Sequence, residues 1–477
     1  MRRKTVMMPK FENGYCLSKE SNRFEAKSAR DGVPKNVWET YSAFANSDGG
    51  IIILGLVETE RGLMVQGIPD VDEKVQSIWN TLNNREKVSS NLLCNDDVKV
   101  LTVDGMDLIS ISVPRAERED RPVYIDNNFR NTFRRDGEGD FKCDLESIRS
   151  MIADSGAFTP DRRIVDTCSI DELNKDSIKS YRNELRSARP DHEWLKLDDT
   201  ELLRRLGAAS FKDGVLKPTL AGLLMFGNEY CITEDAPSFR LDYRECLENG
   251  SWTRRILSST GDWSGNVYDF YGKVIASLRT MVPRRLEIGS DLKRVEDSKL
   301  DKVLREAVLN SLIHADYSGR EGIVIESRMD RVTVSNPGTF RIPIERAEIG
   351  GYSDPRNQSL TKMFMLIGDA ENAGSGVSRM MTFCRELGIP APNITESYDP
   401  PRTTVTVLID GDGLGNDDIT DRVVDLMRED PRISISAISR KLDVPRHRVE
   451  YIIRGMKEEG TIRREGGTRG EWVVCVV

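Results

Sequence analysis

Glu306 and Asn310 stand four residues apart in Glu306-Ala-Val-Leu-Asn310-Ser-Leu-Ile-His314. On a helix both side chains project from one face and can meet one ligand. A carboxylate there can orient an attacking water, while an amide oxygen completes a magnesium shell that also takes phosphate oxygens. Such pairs are also common on exposed helix faces, so the pair needs company. Company comes downstream, where Arg331 to Val334 alternates like a strand and runs into Asn336-Pro337-Gly338. Glu371-Asn-Ala-Gly374-Ser375-Gly376 follows, with glycines that let backbone N–H groups approach phosphate and a helix expected from Val377 to add its positive end. Between them lies Ser353-Asp-Pro-Arg356-Asn357, in which Arg356 either holds a phosphate or caps a loop.

A second group lies near the amino terminus, in Glu20-Ser-Asn-Arg-Phe-Glu25-Ala-Lys27 and, after a helix and a strand, Glu58. Two or three carboxylates can hold Mg²⁺ or Mn²⁺ against a scissile phosphate, and a lysine can stabilise the charge that develops there. In a chain of which 31% is charged, the same spacing also suits a solvated face. The basic run Arg130, Arg134 and Arg135 reads either as a phosphate contact or as an ordinary surface patch.

These residues need elements to position them. A helix is expected over 35–46, from the apolar spacing of Val37, Trp38, Tyr41 and Phe44, followed by a strand over Gly50 to Val57. Strands at 98–103 and 108–113 and a helix at 145–153 close a first domain, with a boundary in 158–171. Helical stretches at 171–189, 200–207 and 265–282 come next, while Leu220 to Gly227 suits a buried helix or a strand equally. Residues 298–314 form the helix of the first pair, with Leu300, Val303, Leu304, Ala307, Val308 and Ser311 on one face.

Beyond a glycine-rich polar stretch at 410–418, three helices and a hairpin suggest a winged helix. Its third helix would begin at Pro445 and present Arg446, Arg448 and Arg454, with Arg463, Arg464 and Arg469 on the wing, to duplex phosphates or base edges. Residues 421–477 carry twelve basic and ten acidic groups, so a partner or dimer interface is the competing role.

The length, 477 residues, implies about three domains. A net charge of -9 excludes a uniformly basic nucleic-acid coat and confines any such site to a local patch. Eight scattered cysteines and three histidines argue against a structural zinc and against a disulfide framework. No apolar run of signal-peptide or membrane-spanning length is present, so the expected compartment is the cytoplasm.

Two resemblances follow from these motifs. Glu306 to Tyr317, Asn336-Pro-Gly338, Arg356-Asn357 and Gly374-Ser375-Gly376 together resemble the divergent ATPase module grouped with the GHKL ATPases, over about residues 165–408. The resemblance implies ATP and Mg²⁺ as cofactors, Glu306 as base, Asn310 as magnesium ligand, and His314, Asn336, Gly338, Arg356, Asn357 and the 374–376 turn around the nucleotide. Asn336 departs from the acidic residue usual at that turn, which puts adenine specificity and hydrolysis in doubt. Phe24-Glu25-Ala-Lys27, Ala43-Phe-Ala-Asn46-Ser-Asp-Gly49-Gly50, Gly55-Leu-Val-Glu58 and Arg121-Pro-Val-Tyr124 resemble the AlbA-type domain shared with Schlafen proteins, over about residues 14–154. Some members of that family are metal-dependent RNases, and their acidic residues map onto Glu20, Glu25 and Glu58. Others are described as DNA-binding regulators.

The expected fold class is α+β and multidomain. Its parts are an AlbA/Schlafen-type α/β domain at 1–155, a connecting part at 156–297, a GHKL-like α/β sandwich at 298–409, a linker at 410–420 and a winged helix at 421–477. The expected function is ATP-gated, metal-dependent cleavage of nucleic acid, which by family analogy would fit phage defence. Two alternatives stand beside it, an ATP-sensing regulator without nuclease activity and an interaction protein whose assembly ATP controls. The expected partners are DNA or RNA and further copies of the chain, with no membrane.

Overall fold

The computed structural model describes residues 8–156, 159–247, 251–281, 299–328, 330–370, 374–409, 416–442, 449, 452–453, 456–457, 461–465 and 471–474. The fold class is α+β in several domains, and contact clustering divides the chain into two units. One comprises residues 1–159 with 341–343 and 397–401, and the other comprises the remainder.

In the first unit a four-stranded sheet runs in the order Phe24–Lys27, Gly50–Leu54, Met106–Val113, Val98–Val103. The first two strands are parallel and the remaining pairs antiparallel. Ile51, Ile52, Ile53 and Leu54 are all buried, so this central strand reads as a continuous apolar run, as expected where both faces are covered. The helix Val37–Asn46 packs Val37, Tyr41, Phe44 and Ala45 into the core. Gly49 has φ +71°, and a Cβ there would lie 2.8 Å from the carbonyl oxygen of Val113, so the turn into the central strand requires glycine. The single strand expected over 50–57 is two, Gly50–Leu54 and Leu56–Thr59. Gly55, at φ +97°, separates them and sends the second into another four-stranded sheet.

The second unit is built on a six-stranded sheet, in the order Trp252–Leu257, Leu241–Cys246, Ile323–Ser327, Arg331–Pro337, Pro401–Leu408, Asn393–Tyr398. Leu241, Tyr243, Ile325, Val334, Val405 and Val407 share one core with the helices Leu220–Phe226, Val267–Met281, Lys299–His314 and Gln358–Leu366. Alternation along the strands turns Glu326, Thr333 and Thr404 to the other face. The segment left open between helix and strand is the helix Leu220–Phe226, with all seven residues buried. Asp161 is fully buried, and its Oδ2 accepts from the backbone N–H groups of Ser359 (2.7 Å) and Leu360 (3.1 Å), capping the 358–366 helix.

Toward the carboxyl terminus the helices Asn416–Glu429 and Ile435–Leu442 and an antiparallel pair, Ile462–Glu465 with Glu471–Val474, share a small core around Ile438, Ile453 and Trp472. The helix Asn416–Glu429 begins inside the stretch read as a linker. Arg446, Arg448, Arg454 and Arg469 lie outside the described residues. Among the described residues no helix is long and apolar enough to cross a membrane.

Candidate functional site

The helix Lys299–His314 carries Glu306 and Asn310 on one face, and Asn310 Nδ2 donates to Glu306 Oε1 at 3.3 Å. The helix Gly376–Leu387 starts against this pair: a Cβ on Gly376 would lie 2.1 Å from Glu306 Oε1 and 3.0 Å from Asn310 Nδ2. Only glycine lets a helix amino terminus, with its unpaired N–H groups, come this near the carboxylate. Gly374 has φ +58°, and its absent side chain leaves room for the Tyr352 carbonyl, 2.2 Å from where a Cβ would stand. Among the described residues Ser375 Oγ, buried beside these groups, has no hydrogen-bond partner. An orphaned hydroxyl, a glycine cradle and a helix amino terminus fit the phosphates of a nucleotide, and the amide of Asn310 fits a magnesium ion that keeps most of its shell from phosphate and water.

Sequence reasoning missed Tyr352. The Gly350–Gly351 pair, with φ +80° and +82°, was the available signal, because it bends the chain so that Gly351 N donates to the Gly374 carbonyl at 3.1 Å. The Tyr352 ring lies 4.1 Å from the Arg346 guanidinium carbon.

Arg356 and Asn357 do something else. Arg356 is buried and donates to the carbonyls of His314 and, at 3.0 Å, Thr339, with its guanidinium laid over Gly338. Asn357 Nδ2 donates to the carbonyls of Ile313 (3.1 Å) and Ala315 (2.8 Å). Both therefore satisfy carbonyls at the carboxyl end of the 299–314 helix, where a cation also suits the helix dipole. Of the two roles open to Arg356, the structure supports the cap. Asn336 is buried on the edge of this group, and its Nδ2 donates to the Pro337 carbonyl at 3.0 Å. The residues assigned to one nucleotide site thus form two clusters along one helix, Glu306, Asn310 and the 374–376 turn in one, and His314, Asn336, Gly338, Arg356 and Asn357 in the other.

In the first unit Glu25 is buried, and both its oxygens are taken: Lys27 Nζ lies 2.6 Å from Oε1 and Arg135 Nη2 2.7 Å from Oε2. Arg135 also pairs with Asp140 at 2.9 Å, and its side chain is 1% exposed. Arg134 is buried as well, and it donates to the Tyr398 carbonyl within the same unit. The reading of Arg134 and Arg135 as phosphate contacts is corrected on that ground: buried guanidinium groups with protein acceptors present no surface to nucleic acid. Arg130 is exposed. Glu58 is exposed too, and no described hydrogen bond or ion pair links it to Glu20 or Glu25. Among the described residues no three His, Cys, Asp or Glu side chains converge to hold a metal. As arranged, Glu20, Glu25 and Glu58 do not fit the expected three-carboxylate metal site.

Glu20 Oε1 accepts from Ala26 N at 2.9 Å, which draws it toward Glu25. Burial and the neighbouring Glu25 push its carboxyl pKa up, against the lowering effects of the Ala26 N–H, Lys27 and Arg135. A raised folded-state value contributes stability below the ordinary carboxylate pKa and loses it as pH rises through the folded value. Glu20→Gln, which keeps the acceptor and removes the charge, is therefore expected to raise Tm at pH 7 by about 1–3 °C. The gain should vanish below about pH 4, where glutamate is protonated in both states. Thermal melts of the two proteins at both pH values check this, and an equal gain at both would sink the electrostatic account.

Asn46 explains why two of the amino-terminal motifs occur together. Its Nδ2 donates to the carbonyls of Val123 (2.8 Å) and Phe133 (3.0 Å), and its Oδ1 accepts from Val123 N at 2.9 Å. Ser47 Oγ accepts from Arg135 N at 3.0 Å. The Ala43–Gly50 motif is thus a structural clasp for 121–124 and for the strand that bears Arg135.

Comparison with known proteins finds three family matches along the chain. Residues 20–144 match the family described as "Schlafen, AlbA_2", residues 321–409 match "Putative ATP-dependent DNA helicase recG C-terminal", and residues 149–242 match a domain of unknown function. Among solved structures, the chain is similar to the DIP2311 protein from Corynebacterium diphtheriae, at 19% identity over 98% of this chain and 94% of that one, with a TM-score of 0.41. It is also similar to the N-terminal domain of the putative ATP-dependent DNA helicase RecG-related protein from Nitrosomonas europaea, at 30% identity over 27% of this chain and 88% of that one, with a TM-score of 0.21. None of the curated proteins matches the chain. The chain thus carries two family matches in the order its motifs suggest, Schlafen AlbA_2 over residues 20–144 and the RecG carboxyl-terminal model over residues 321–409.

Proposed function

We propose that this protein binds ATP at the 306–376 site and acts on nucleic acid, with nucleotide occupancy controlling nucleic-acid binding. One observation carries the nucleotide reading: the amino terminus of the 376–387 helix, opened by Gly376, faces Glu306 and Asn310 beside the buried Ser375 hydroxyl, which has no partner among the described residues. Backbone N–H groups there would hold phosphate, Asn310 would hold a magnesium ion, and Glu306 would accept the proton of an ordered water. The magnesium ion would neutralise phosphate charge. The nucleic-acid half of the proposal draws on the AlbA_2 match and on the winged-helix reading of the carboxyl-terminal helices and strand pair, with Arg463 and Arg464 on its wing.

Between cleavage and regulation, the paired state of Glu25 favours regulation. A carboxylate already neutralised by Lys27 and Arg135 has little left to offer a metal, and withdrawing it would leave Asp140 and the Ser21 and Phe24 carbonyls to hold the buried Arg135. The expected result with labelled tRNA, single-stranded DNA and duplex DNA, in Mg²⁺ or Mn²⁺, is binding that ATP shifts about ten-fold without cleavage. Metal-dependent cleavage that is lost in Glu25→Ala would overturn this choice and establish the nuclease.

A further inference from the structure

The six-stranded sheet of the second unit has one face in the helical core and one turned away from it. On the outward face Arg240, Arg320, Glu321, Glu326, Thr333 and Arg402 are among the residues that line a groove of about 780 Å³. Every cation lining it is an arginine. Toward the edge strand Trp252–Leu257, the fully buried Asp242 is gripped by two more. Arg255 Nε and Nη2 lie 2.8 and 2.7 Å from its oxygens, and Arg244 Nη2 lies 2.6 Å from Oδ2. Burial alone would raise the Asp242 pKa, but the hydrogen bonds from Arg255 and Arg244 hold it below the usual carboxylate range. The guanidinium carbons of Arg255 and Arg244 in turn lie 5.1 and 5.9 Å from the centre of the Trp252 ring. Trp252 is 51% exposed.

A buried carboxylate thus orders two arginines, which hold an aromatic ring at the surface. Large exposed aromatics are unfavourable in water and informative where they are held in place. In a chain of net charge -9, this face gathers Arg240, Arg244, Arg255, Arg320 and Arg402 against Asp242, Glu321 and Glu326, a local positive surplus. An arginine-lined groove beside a half-exposed tryptophan flanked by two arginines suits a ligand that is both a polyanion and a source of flat rings. A duplex hides its base faces in the stack, so the ligand must present them unpaired.

We propose that the outward face of this sheet binds single-stranded nucleic acid, with a base stacked on Trp252 and the backbone running along the groove past Arg240 and Arg402. This site stands on the sheet alone and is independent of the nucleotide site and of the first unit.

The test measures fluorescence anisotropy of labelled dT and rU 20-mers, and of a blunt duplex of the same length, with the full chain. Trp252→Ala should weaken at least one single strand about 10- to 100-fold and change duplex affinity less than about 2-fold, while Trp252→Phe stays within about 3-fold of the parent. The two oligomers separate DNA from RNA as the source. Arg240→Gln, at an exposed position where folding is not at stake, should flatten the salt dependence by about one unit of slope. Unchanged single-strand affinity in both Trp252→Ala and Arg240→Gln would overturn the proposal. So would an equal loss on duplex, or a change confined to the sedimentation of the free protein, which would make the face an interface between copies. Should Trp252→Ala fail to fold, the salt slope of Arg240→Gln still decides the question.

Discussion

Gly376→Val is expected to lower affinity for Mg·ATP by at least about 50-fold while shifting Tm by no more than about 3 °C. The asymmetry follows from what a side chain at 376 would strike. Its Cβ would stand 2.1 Å from Glu306 Oε1 and 3.0 Å from Asn310 Nδ2, both at the ends of flexible side chains that can swing aside. Swinging aside costs little stability, because a carboxylate and an amide near the surface find water or other donors. It does remove both groups from the helix amino terminus and places branched hydrocarbon where phosphate oxygens would meet N–H groups. Titration of a fluorescent ATP analogue, with and without Mg²⁺, measures the first number, and a thermal melt measures the second. Thr382→Val, an exposed position two turns along the same helix, is the control and should change neither. Unaltered nucleotide affinity in Gly376→Val, in a folded protein, would remove the nucleotide site from this end of the helix.

Gly222→Ala should destabilise the second unit by at least about 3 kcal/mol, a fall of roughly 6–12 °C in the transition of that unit. Helix propensity alone points the opposite way, since alanine is favoured over glycine inside a helix by about 1 kcal/mol. Packing decides the sign. The helix Leu220–Phe226 is buried at every residue, and a Cβ on Gly222 would lie 1.8 Å from the Ala208 carbonyl oxygen and 2.6 Å from its carbon. These are backbone atoms anchored by Thr219 N, which donates to the same Ala208 carbonyl at 2.9 Å, so they cannot move independently of the strand that follows Ala208. The helix must shift bodily or unwind. Differential scanning calorimetry on the full chain reads the result, provided the transitions of the two units are resolved separately. A rise in stability would mean that the helix and the 208–212 segment sit farther apart than described.

The two substitutions contrast two uses of glycine. At 376 the space is filled by the ends of flexible side chains and, on the proposed function, serves a ligand, and at 222 it is filled by backbone and serves the core. The same contrast runs through the charged residues. Asp161 and Asp242 are fully buried, yet one closes a helix end with two backbone N–H groups and the other orders two surface arginines. Glu306, with the same charge, is half-buried against the amino terminus of the 376–387 helix.

The sequence by itself determined what depends on neighbours within about one turn of helix or one strand pair. Four-residue spacing placed Glu306 and Asn310 on one face, and apolar periodicity located the helices expected over 35–46 and 298–314, which run 37–46 and 299–314. Short motifs were equally legible: the matched segments 20–144 and 321–409 cover the amino-terminal motifs and those from Asn336 to Gly376, while Glu306 and Asn310 lie just before the second match. Tertiary structure alone decided which charges face solvent. Arg135 meets Glu25 across 110 residues of chain, and Arg356 reaches the His314 carbonyl across 42, separations at which local pattern carries no information about partners. An arginine reads identically in sequence whether it awaits a phosphate or fills a core, because the difference lies in desolvation and in acceptors supplied by distant segments. For the same reason Trp252 drew no notice in sequence, where a single tryptophan is indistinguishable from a core residue until the sheet places it at an edge between two arginines.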